Sequence, residues 1–134
     1  MMKRMMIQSA LLVLVCAPAY AEWKQVETKN QLPGMRTMYI DPSTMKKEGS
    51  LVTVWELIDY NEMQGGRGPG SYSSKKIQVQ FDCAKEQLRF LSTKDYEGSM
   101  GSGEAVGGGG AASDWEPVKP TSIHHSVWEV VCKK

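Results

Sequence analysis

The chain has 134 residues, and its 16 basic and 15 acidic side chains leave a formal net charge of +1. That balance gives no electrostatic warrant for nucleic acid, whose binders carry a basic face, and equally excludes a strongly acidic, chaperone-like tail. The length suits a single domain with a modest core.

The N-terminus carries Lys3 and Arg4 with no acid. It then runs apolar from Met5 to Val15, broken by Gln8 and Ser9, and reaches Pro18 and the small-x-small sequence Ala19-Tyr20-Ala21. A basic start, a short apolar stretch and an A-x-A site are the parts of a secretory signal. They predict a cleavable leader over residues 1–21, cut between Ala21 and Glu22, and one exported domain over residues 22–134. The apolar run falls short of the roughly 20 residues that span a bilayer, and no later stretch of the mature chain reads as a transmembrane segment. Cys16 follows the apolar run as a lipid acceptor would, but Val15 stands where such a site needs a small residue, so lipid anchoring at Cys16 is not expected. Removing residues 1–21 takes Lys3 and Arg4 from the 16 basic residues and none from the 15 acidic, leaving 14 against 15 and a net charge of −1. The mature chain keeps Cys83 and Cys132, and an even count in an exported protein predicts a disulfide between them.

The mature chain begins with Trp23-Lys24-Gln25-Val26-Glu27, alternating as a half-buried strand does. Asn30 to Gly34 reads as a turn, and Met35 to Ile40 as a second strand stopped by Asp41-Pro42-Ser43. Leu51 to Tyr60 is the strongest strand; Val52, Val54, Trp55, Leu57 and Ile58 make it apolar on both faces, as a covered central strand is. Asn61 to Ser71, rich in glycine around Arg67, reads as a mobile loop. From Tyr72 to Cys83 the alternation is cleanest, with Ile77, Val79, Phe81 and Cys83 on one face. Leu88 to Thr93 continues towards Tyr96, Gly98 to Gly103 breaks the chain, and Glu104-Ala105-Val106 is a short last strand. Gly107 to Gly110 is too flexible to hold a structure alone. The period then changes: Ser122 offers a hydroxyl N-cap, and Ile123, Val127, Val130 and Val131 recur at helical spacing up to Cys132. Strands at hairpin spacing followed by a helix predict an α+β fold. It is an antiparallel sheet of about six strands, with one C-terminal helix over residues 122–132 packed on one face and tied by the disulfide. Trp55 and Phe81 are expected in the core.

No catalytic apparatus is legible. His124 and His125 are the only histidines; neighbours on a helix diverge by about 100° and can hardly share one metal, so they read as an exposed pair, His125 contacting Glu129 four residues on. Gly101-Ser102-Gly103 lacks the third glycine of G-x-G-x-x-G, and neither glycine cluster carries Gly-Lys-Ser/Thr. Asp59 and Glu62 beside Arg67 suggest a surface ion pair more than an acid–base dyad. The expectation is therefore no enzyme, no cofactor and no metal. Tyr60, Arg67, Tyr72, Lys75 and Lys76 gather around the long loop, and aromatics with arginine are enriched at protein interfaces. They form a candidate protein-binding loop, set against a plain solvated loop with strand-end tyrosines.

An ordered series runs through the chain: Tyr39-Ile40-Asp41-Pro42-Ser43-Thr44, Val54-Trp55-Glu56-Leu57-Ile58-Asp59-Tyr60, Gln80-Phe81-Asp82-Cys83, Arg89-Phe90-Leu91, Met100-Gly101-Ser102-Gly103, Trp115 and Val131-Cys132. Over nearly the whole mature chain it resembles the surface-adhesin protein E family of bacterial envelope proteins. The resemblance implies an antiparallel sheet with a disulfide-tied C-terminal helix and a cell-envelope location. It also implies binding of host extracellular-matrix or serum proteins and homodimerisation. Without an anchor at Cys16, a periplasmic structural or envelope-maintenance role with no host ligand becomes the alternative to surface display. A small periplasmic hydrolase is the minority reading.

Overall fold

The fold is that of a computed structural model, described over residues 22–28, 35–66 and 68–133. The leader, Cys16, Ala21, the 30–34 turn and Arg67 lie outside the described residues. Among the described residues seven strands form one antiparallel sheet: β1 (Lys24–Val26), β2 (Arg36–Glu48), β3 (Leu51–Gln64), β4 (Tyr72–Asp82), β5 (Gln87–Tyr96), β6 (Ala105–Gly109) and β7 (Glu116–Pro117). The spatial order follows the chain from β1 to β6, and β7 pairs with β5 beside β6. The helix α1 spans Ile123–Cys132.

Successive side chains on a strand point to opposite faces, and directly paired residues share a face. The register therefore sorts the sheet. Met38 opposite Ile58, Ile40 opposite Glu56, Val54 opposite Val79 and Phe81 opposite Leu88 form one face. Ile123, Val127 and Val131 of α1 pack against that face to complete the core. Phe81, Val79, Val54 and Val127 are wholly inaccessible. Val130 does not join them and is 52% exposed, because the helix turns it away from the sheet. The Ser122 hydroxyl accepts from the His124 amide at 3.1 Å and starts the helix. A Cys83–Cys132 disulfide, Cα to Cα 5.3 Å, ties its last turn to the end of β4.

Trp55 lies on the opposite face, half-buried, and not in the core. It is paired with Gln78 and Asp41, in phase with Leu57 and Thr53, so the β3 run that looks uniformly apolar is divided by the pleat. Asp41-Pro42-Ser43 does not end β2. The residues between Asp41 and Lys46 leave the register as a bulge, which suits a proline without an N–H. The Asp41 carboxylate accepts from the Ser43 amide and hydroxyl at 3.0 and 2.6 Å, while the Thr44 hydroxyl accepts from the Trp55 amide at 3.1 Å. Likewise β3 continues through Asn61 to Gln64 into what reads as loop.

The glycine run is also ordered. Gly107, Gly108 and Gly109 pair with Asp95, Lys94 and Thr93 as part of β6. A Cβ on Gly108 would stand 2.2 Å from the Thr93 carbonyl oxygen, so the close approach of the strands demands glycine there. The Gly98–Gly103 break contains a 3-10 turn, Ser99–Gly101. Asp59 and the buried Ser74 pin it: Met100 N–H donates to Asp59 Oδ1 at 2.8 Å, Gly101 N–H donates to Ser74 Oγ at 2.8 Å, and that hydroxyl donates to the Gly98 carbonyl at 2.6 Å. Asp59 thus holds a turn 41 residues away.

Candidate functional site

Three of the five loop residues come together. The rings of Tyr60 and Tyr72 meet edge to face at 5.9 Å, and Lys75 Nζ stands 5.2 Å over the Tyr72 ring. Lys75 also faces Asp95 across the strands at 3.6 Å. Burial holds the Tyr60 phenol above its ordinary range, the cations of Lys75 and Arg36 pulling the other way. The Tyr60 phenol, the Tyr72 ring and a paired ammonium make a surface suited to hydrogen bonding and apolar contact.

Lys76 is not part of that cluster. One residue on along β4, the pleat carries it through the sheet, opposite Leu57 on one side and Lys94 on the other. There its ammonium lies 4.7 Å from the Tyr96 ring and 5.9 Å from the Trp23 ring. Trp23, Trp55 and Tyr96, with Lys76 and Lys94, line a depression of about 240 Å³ floored by the Asp41–Thr44 bulge. Gly101 leans on the Lys76 stem, where a Cβ would stand 2.6 Å from Lys76 Cε. The 3-10 turn therefore helps fix the direction of that side chain.

A third constellation lies beneath the helix. Glu56 is wholly buried, and His124 Nδ1 stands 2.8 Å from its Oε2. Phe90 meets the imidazole edge to face at 5.0 Å. His124 is thus not an exposed surface histidine; its side chain is 15% exposed. Burial pulls its pKa down, but the charge and hydrogen bond of Glu56 prevail and hold it above 6.5. Oε1 of Glu56 is buried without a hydrogen-bond partner among the described residues. Glu56 escaped the sequence reading, although an acid in phase with Val52, Val54 and Ile58 is the pattern of a charge on a core face. His125 does reach Glu129, at 3.7 Å. Among the described residues no group of three His, Cys, Asp or Glu side chains has the arrangement of a metal site, and no helix is long and apolar enough to cross a membrane.

The family model described as surface-adhesin protein E matches residues 23–133. No curated protein sequence matches the chain. Among solved structures, crystal form II of Haemophilus influenzae protein E is similar with a TM-score of 0.58 and 13% identity, covering 81% of this chain and 95% of that one. Protein E from non-typeable Haemophilus influenzae gives a TM-score of 0.55 and 11% identity, covering 84% and 85%. At such identities the likeness is one of fold.

Proposed function

The chain belongs to the surface-adhesin protein E family, and from that premise we propose that it is an exported bacterial envelope protein that acts by binding another protein and not by catalysis. The match over residues 23–133 carries the reading. The Tyr60–Tyr72–Lys75 cluster supports it, since paired aromatics beside a cation are the material of interface hot spots. The partner is a host matrix or serum protein.

A second reading rests on Val15 and Leu14, which make a poor lipid-attachment site before Cys16. An unanchored chain would stay in the periplasm and serve the envelope itself. Protease shaving of intact cells, followed by blotting, separates the two. Loss of the protein, together with binding to immobilised matrix or serum proteins that Tyr72→Ala and Lys75→Ala weaken, would support adhesion. Survival until the outer barrier is opened would overturn surface display and favour the periplasmic role.

A further inference from the structure

Lys76 and Lys94 are directly paired across β4 and β5. Like charges in that position destabilise a sheet, and the adjacent pair shows the ordinary solution: Lys75 faces Asp95 and is neutralised by it. Lys76 and Lys94 have no carboxylate within ion-pair distance among the described residues. Lys76 is held instead by the rings of Tyr96 and Trp23 and by the Gly101 backbone against its stem. Lys94 is exposed. Asp41, the carboxylate that lines the depression, is turned to Ser43. Two cations thus converge on one small depression whose lining carboxylate, Asp41, is engaged by Ser43 and pairs with neither of them.

The remaining wall selects among anions. Trp55 lines the depression half-buried, and its ring has no aromatic or cationic partner among the described residues. A cavity of about 240 Å³ admits little more than one six-membered ring. Peptides that bind sheets draw on main-chain hydrogen bonds at a free edge. Here Trp55 and Lys76 sit on interior strands whose main chains are already paired on both sides. Recognition must therefore come from ring faces and ammonium groups, a combination that suits a pyranose bearing a carboxylate. Its C–H face stacks on an indole while its carboxylate takes charge-assisted hydrogen bonds from lysine.

We propose that the Trp23–Trp55–Tyr96 depression, with Lys76 and Lys94 at its rim, binds a uronate residue of an acidic polysaccharide. The site lies on the face opposite α1, so it stands apart from the Tyr60–Tyr72–Lys75 surface. Calorimetric titration of the purified protein tests it. The probes are a hyaluronan tetrasaccharide (animal matrix), an alginate tetrasaccharide (bacterial uronate), neutral cellotetraose, tripolyphosphate and tetraglutamate. Binding of either uronate, at least tenfold tighter than the other three, is expected, and the stronger of the two identifies the source. Exposed Lys94→Ala should weaken it about tenfold, the scale of one charged hydrogen bond. Trp55→Ala should abolish it, while Trp55→Phe retains part. Absence of uronate binding overturns the proposal, as does wild-type affinity in Lys94→Ala. Equal affinity for tripolyphosphate would reduce the site to bare charge, and preference for tetraglutamate would make it a peptide site; either sinks the saccharide assignment.

Discussion

His124 on the helix and Glu56 on the central strand, 68 residues apart in the chain, meet at 2.8 Å beneath α1. The helix is therefore fastened at both ends by different chemistry: a titratable contact near its start and a disulfide at its finish. Arg36 and Glu116 are the other charges that bear on the imidazole, with opposite signs.

That contact makes stability depend on pH. The His124 pKa is raised in the folded state above 6.5, so folding binds the proton more tightly. Its contribution is full below about 6.5 and is lost as pH rises through the higher folded value. Thermal melts from pH 6 to 9 should show a falling melting temperature, and Glu56→Gln should flatten that slope. A slope unchanged in Glu56→Gln would remove the pair as its cause.

Cys132→Ser should lower stability by roughly 4 kcal/mol, the chain-entropy value for a loop of about this length, with 49 residues separating the cysteines. At about 4 °C per kcal/mol the melting temperature falls on the order of 15 °C. Reductant should bring the unaltered protein down to the variant's curve. Identical melts with and without reductant would refute this account of the staple.

Phe81 and Trp55 read alike as large core aromatics, yet the sheet separates them. Phe81→Ala opens a cavity in a fully buried site and should cost about 3–5 kcal/mol. Trp55→Ala removes a half-buried ring from the other face and should cost clearly less in urea denaturation. Equal losses would mean that the second face contributes as much to the core as the first.

Gly108→Ala should destabilise by about 1–3 kcal/mol, since φ of 132° is a strained setting for a side chain and the methyl would meet the Thr93 carbonyl. Gly110, with open space around it, is the control and should accept alanine without loss. Hydrogen exchange at Lys94 and Asp95 reads the effect directly, rising only in Gly108→Ala. Unaltered exchange there would show that β6 is not held by that close approach.

The run of antiparallel strands, the helix with its Ser122 cap and the cysteine pair were legible from the sequence, the first two from local pattern and the last from the cysteine count. Alternation around Phe81 reveals a core face, helical spacing around Val127 reveals a helix, and the two cysteines beyond the predicted leader have one partner each. The bulge at Pro42 and the pairing of Gly107–Gly109 were not legible, because turn-forming residues and glycine carry the same local signal whether the chain bends away or lies against a neighbour. Tertiary structure alone decided which residues form sites. Neighbouring Lys75 and Lys76 part to opposite faces because the pleat has a period of two, and Lys76 meets Trp23 and Tyr96 because strands distant in sequence are adjacent in the sheet. Glu56 finds His124 for the same reason. A contact between distant residues is a property of register and packing, and neither is written in the spacing of the residues that make it.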